Sequence, residues 1–173
     1  MKGFVFGLIV GLLLVPAAVL FYFLSGSAPV ATSAKPMPFE RTLARRALHA
    51  RMAREMPASA PIPADETNLK SGAQIYREDC AVCHGLPGAG TSVIARGMFP
   101  KVPQLFNGDD VTDDPPGATY WKVANGIRLT GMPGFSKSLT ETQMWQVSLV
   151  LAGADKLPQS VKEILASPQT QPK

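Results

Sequence analysis

Hydrophobic residues run from Phe4 to Leu24 without a charged side chain. Twenty-one residues of helix span about 31 Å, close to the thickness of a bilayer's hydrocarbon layer. Residues 1–24 therefore read as a transmembrane anchor, with Pro16 a candidate kink. Ser25 to Pro38 loses all periodicity and is rich in small residues and proline, as a linker is. Helical spacing returns at Phe39, Leu43, Ala47, Leu48, Met52 and Met56, interleaved with Arg41, Arg45, Arg46, Arg51 and Arg54. The run from Pro57 to Pro63 breaks that pattern.

From Asp65 onward the signals are helical and strand signals are scarce. The spacing predicts a helix from near Asn68 to His84, capped by Thr67 or Asn68. A loop rich in Gly and Pro follows, Gly85 to Asp114. A short helix opens after Thr112-Asp-Asp-Pro-Pro116, where acids and proline suit a helix start. It carries Tyr120 and Trp121 and stops at Asn125-Gly126, a good C-terminal cap. A second loop holds Thr130-Gly-Met-Pro-Gly-Phe135. Thr140-Glu-Thr-Gln143 reads as a capping box opening a helix with Trp145, Leu149 and Leu151, ending near Gly153. A last helix covers Ser160 to Leu165. The expected organisation is an anchor (1–24), a linker with a basic amphipathic helix (25–64), a mainly α domain (65–165) and a disordered tail (166–173).

Length and charge refine this picture. A secretory leader has an apolar stretch of only about 7–15 residues, and the Gly26-Ser-Ala28 site is followed by Pro29. Both favour a retained anchor over a cleaved signal. Gly3, Gly7 and Gly11 form a stripe suited to close helix packing in lipid, or reflect the general frequency of glycine in membrane helices. The net charge of +4 is uneven. Ten Lys/Arg against eleven Asp/Glu leave residues 65–173 at −1, whereas residues 35–55 hold six basic and two acidic residues, +4. The high pI of about 9.2 thus marks one basic segment beside an anchor and gives no reason to expect nucleic acid. Three readings of that segment stay open: a helix on an anionic membrane surface, a dock for an acidic partner, or a spacer packed on its own domain.

The chemistry concentrates in Cys80-Ala81-Val82-Cys83-His84. C-x-x-C-H is the attachment sequence of a c-type haem. The two thiols form thioethers to the porphyrin edge, and the adjoining histidine binds the iron. Zinc would need two more ligands at suitable spacing, and His49, the only other histidine, is remote. A thioredoxin-like pair would need a strand before the motif, where Gly72 to Asp79 reads as helix. The second axial ligand is expected from a methionine. Met132 lies in a Gly-Met-Pro turn between helices and is the leading candidate, with Met98 the competitor. Met144 falls on a predicted helix and reads as core, and His49 as an ordinary surface residue.

Helix, C-x-x-C-H, long Pro/Gly loop, short helix, Asn-Gly, Met-Pro turn and Trp helix together resemble the class I mono-haem cytochrome c family, in its bacterial membrane-anchored form. The resemblance covers Asp65 to about Gly153 and leaves out the anchor and the basic helix. It implies a mainly α, cytochrome c-like fold with long loops in which the first and last helices cross. Gly72 and Tyr76 would then face Trp145 and Leu149. It also implies that Pro103 offers its carbonyl to the free ring N–H of His84. Trp121, Arg96 and Tyr120 would be neighbours of the haem. A strongly cationic partner-binding face is not evident on this domain.

A His84/Met132 iron leaves no open position, so the expected function is one-electron transfer, not substrate chemistry. The expected cofactor is one covalent haem c with its iron. The expected partners are the membrane, through residues 4–24, and larger redox proteins such as a dehydrogenase, an oxidase or another cytochrome. Shuttle and complex subunit both fit. The alternative is a haem enzyme or gas sensor with an open distal position. Lys35 and Arg41 would by the positive-inside bias prefer the cytoplasm. Covalent haem attachment takes place outside it, and long domains override loop charge. The expected arrangement is a single pass through the bacterial cytoplasmic membrane with the haem domain in the periplasm.

Overall fold

The computed structural model describes residues 2–106 and 114–167. Expectations that fall on Asn107 to Asp113, and on the tail from Pro168, lie outside the described residues. Among the described residues every regular element is a helix and none is a strand. The chain divides into two compact units between Ala44 and Arg45.

The first unit contains α1, Lys2–Leu24, which runs unbroken through Pro16. It is long and apolar enough to cross a membrane. Its side chains meet solvent rather than protein, as those of a lipid-facing helix do. The following segment ends at Phe39, whose φ of 63° turns the chain into α2, Glu40–Glu55.

The second unit begins within α2 and holds the helical domain. Its first helix is built in three continuous stretches: α3, Glu66–Ile75, a wide π turn over Tyr76–Cys80, and α4, Ala81–His84. The N-cap is Asp65, whose carboxylate accepts the Asn68 amide N–H at 2.9 Å. Neither Thr67 nor Asn68 performs that task. Asn68 instead bridges elements, donating to the Pro63 carbonyl at 3.0 Å and accepting from Gln146 Nε2 at 3.0 Å. A short α5, Val93–Arg96, interrupts the first loop, with Ser92 as its cap. Then come α6, Pro116–Asn125, α7, Glu141–Ala152, and α8, Gln159–Ala166. A single 3-10 turn, Ala154–Lys156, joins the last two.

The capping box forms as the sequence suggests: Thr140 Oγ1 accepts the Gln143 amide at 3.3 Å, and Gln143 Oε1 accepts the Thr140 amide at 2.8 Å. Gly126, with φ 67°, ends α6 where a side chain would be strained.

The helices α3 and α7 cross at the centre of the domain, α6 lies on α7, and α8 lies on α3. Gly72 makes the crossing possible. A Cβ there would run into the Gln146 carbonyl and fall 2.8 Å from Val150 Cγ2. The α7 residues facing Gly72 are thus Gln146 and Val150, one position beyond the Trp145/Leu149 pair implied by the family resemblance. Trp145 is instead turned toward α6, where it stacks on Tyr120 with centroids 4.2 Å apart and planes 16° from parallel. Ala73, Tyr76, Val147, Val150 and Val161 are wholly buried and form the core, with Met144 also buried in it.

Candidate haem site

The π turn sets the pitch of the helix end that carries the motif. It places Cys80 at its last residue and hands the chain to the single α turn of Ala81–His84. Gly85, φ 74°, then ends the helix. The buried Tyr76 donates its hydroxyl to the Gly85 carbonyl at 2.6 Å and stands edge-on to Phe106, centroids 4.9 Å apart. The base of the motif is thereby pinned to the core at both ends of the turn.

His84 Nδ1 lies 2.9 Å from the Pro103 carbonyl oxygen. A carbonyl only accepts, so this bond assigns the imidazole proton to Nδ1. The lone pair on Nε2 is then the one left for a metal. Burial holds the His84 pKa below the usual imidazole value, with the Pro103 bond acting the other way. The ring is accordingly neutral at pH 7, as a ligand must be. Gln104, beside Pro103, donates Nε2 to the Cys83 carbonyl at 3.3 Å and ties the same loop to the motif a second time. Both cysteines are free and half-buried. Burial, then the nearby Asp79 and Cys83, push the Cys80 thiol up to about 12.

The loop bearing Met132 is closed on itself. Ile127 donates its amide to the Met132 carbonyl at 3.2 Å, and the Met132 amide donates to Thr130 Oγ1 at 3.1 Å. Phe135 returns to α6, donating to the Val123 carbonyl at 2.9 Å. Gly126 and Gly134 meet so closely that a Cβ on Gly126 would lie 2.5 Å from the Gly134 nitrogen. Met132 is half-buried.

Met98 reaches this loop from the other side: its Cε occupies the space a Cβ on Gly131 would need. The segment leading to Met98 is itself fixed to the motif, because Ser92 Oγ donates to the Val82 carbonyl at 2.7 Å. A chain of contacts thus runs from the cysteine turn through α5 to the Met132 loop. A cavity of about 320 Å³ opens between Ala81, Val82 and Leu86 on one side and Val93 and Ile94 on the other.

The remaining sequence candidates are placed as follows. Arg96 is exposed and donates Nη1 to the Thr91 carbonyl at 2.6 Å. Tyr120 is engaged with Trp145, and Trp121 donates Nε1 to Glu55 Oε2 at 3.1 Å. His49 lies exposed on α2. Three features carry no sequence signal of their own: the π turn, the Gln104 tie and the seating of Met98 on Gly131.

The donor set suits a covalently held haem: two thiols and an imidazole on one helix end, the ring's tautomer fixed by Pro103, and a thioether in a self-closed loop. Among the described residues no group of three or more His, Cys, Asp or Glu side chains offers a conventional metal site.

The family comparison agrees. Residues 67–149 match the family described as "Cytochrome C oxidase, cbb3-type, subunit III". No curated protein sequence matches the chain. Among solved structures, a chain of the reducing HAO-like protein complex of Kuenenia stuttgartiensis matches with 21% identity and a TM-score of 0.48. The match covers 69% of this chain and 50% of that one, so this chain spans half of its length. The matched family carries haem c with its iron and serves electron transport. The stretch from residue 67 to residue 149, with its helical core and its C-x-x-C-H helix end, is a cytochrome c domain consistent with the class I mono-haem family.

Proposed function

We propose that this chain is a membrane-tethered electron carrier with a single haem c, attached through Cys80 and Cys83 and ligated axially by His84 and Met132. The observation that carries the reading is the 2.9 Å bond from His84 Nδ1 to the Pro103 carbonyl. It orients the ring and leaves Nε2 as the only nitrogen available to iron. When bound, the haem iron supplies a one-electron couple, and thioether ligation favours its reduced state.

The protein's share is to hold and tune. Tyr76 and Gln104 fix the motif turn, Pro103 fixes the histidine tautomer, and the hydrogen bonds of Thr130 and Ile127 hold the Met132 loop closed. With His84 and Met132 both holding the iron, no site would remain for a substrate, which makes the chain a carrier in this reading and not itself an enzyme. Its partners are redox proteins, met in small transient contacts. A tether raises their effective concentration. Helix α1 serves as the single-pass anchor in the bacterial cytoplasmic membrane, with residues 25–64 as linker and basic helix, and residues 65–165 as the haem domain on the periplasmic side.

The test is the purified full chain. Denaturing electrophoresis with a haem stain, together with its intact mass, is expected to show one covalent haem. The reduced protein is expected not to bind carbon monoxide at neutral pH. Rapid carbon monoxide binding would overturn the carrier reading in favour of an open-site sensor or enzyme.

A further inference from the structure

The basic helix α2 has two faces of different kinds. Met52 is 7% exposed. Leu48 is half-buried beside it, and Glu55 accepts the Trp121 indole N–H at 3.1 Å. One turn on, the Pro57 carbonyl sits on Gly117, where a Cβ would collide with it. This face therefore belongs to the cytochrome domain. At 3.6 residues per turn, Arg46, Ala50, Ala53 and Arg54 lie on the opposite side, whereas Arg45, seven residues before Met52, lies toward the inward side. Those four are exposed, and none is acidic. Arg51 is different, because it is paired with Glu55 at 2.6 Å. In the first turns of the helix Leu43 stays 64% exposed.

From this arrangement we infer that the outward face of α2 docks onto anionic lipid head groups. The face offers cationic guanidinium groups on a floor of small side chains, the composition suited to a negatively charged interface. An anionic surface is also the partner the chain keeps within reach. Residues 25–39 alone separate α1 from α2, a reach of at most about 50 Å when fully extended. Because its inward face holds the haem domain through Met52, Glu55 and Pro57, docking of α2 sets which side of that domain turns toward the bilayer. The inference rests on α1 being a membrane span.

Full-length holoprotein is reconstituted into nanodiscs of phosphatidylcholine alone and of phosphatidylcholine with phosphatidylglycerol, and deuterium uptake is followed over residues 40–55. Recovery with the nanodiscs in both lipids checks the anchor separately. Uptake is expected to be at least about fivefold slower on the anionic discs, the effect of even one basic residue at such a surface. The slowing is expected to disappear at high salt and in the Arg46→Gln, Arg54→Gln variant, which leaves Arg51 and the inward face intact. Equal uptake on both lipids overturns the inference and leaves an acidic protein as occupant of the face. So does slowing that persists in the double variant. Failure to enter either nanodisc refutes the anchor instead.

Discussion

Single residues fix the site by geometry. Gly72 is the clearest case, since the methyl of alanine would press on the backbone of α7, which has no freedom to yield. Gly72→Ala is expected to destabilise the holoprotein by about 2–3 kcal/mol, read from denaturant unfolding. An unchanged midpoint would mean that α3 and α7 do not cross there. Gly131 makes a useful contrast, because its missing Cβ is replaced by the flexible end of Met98. Gly131→Ala is expected to leave global stability nearly unchanged and to displace Met98 alone.

Glu55 supplies a pH-dependent prediction. Hydrogen bonds from Arg51 and then Trp121 hold its carboxyl below the usual 4.5. A carboxyl depressed in the folded state adds stability above its unfolded value, and that stability is lost as pH falls through the lower folded value. The tie between α2 and α6 is therefore expected to persist at pH 5 and to loosen only below 4.5. The Trp121 indole proton resonance of the reduced protein reports it. A shift centred above 4.5 would show that Glu55 is not so held.

At the scale of elements, caps decide where helices begin, and most were readable. The Thr140/Gln143 box and the Asn125-Gly126 stop appear as expected because local hydrogen bonds and backbone strain determine them. Thr140→Ala is expected to cost about 1 kcal/mol, measured by thermal unfolding; no loss would mean that α7 is held by packing alone. The sequence leaves the start of α3 undecided because Asp65, Thr67 and Asn68 can all cap a helix. The choice fell to Asp65 once Asn68 was engaged with Gln146 of α7. Likewise the α3–α7 register slid by one position because stacking of Trp145 on Tyr120 rotates α7, a contact between distant residues that no local pattern encodes. The π turn at Tyr76–Cys80 was invisible for a related reason: its residues suit an ordinary helix equally well.

On the scale of the whole molecule, the chain joins a helix able to cross a membrane, a basic helix and a cytochrome c domain. The motif Cys80-x-x-Cys83-His84 made the haem legible from sequence, since few chemistries need those residues in that order. The identity of the opposite ligand was less so, because methionine serves equally as core filler. In the structure the two candidates are neighbours, Met132 in its closed loop and Met98 packed on Gly131.

The visible absorption spectrum of oxidised full-length protein, recorded for wild type, Met132→Ala and Met98→Ala, separates them. The account predicts a low-spin haem with a methionine–iron charge-transfer band that is lost in Met132→Ala and kept in Met98→Ala. A band that survives in Met132→Ala, or a wild type that is high-spin from the outset, would contradict it.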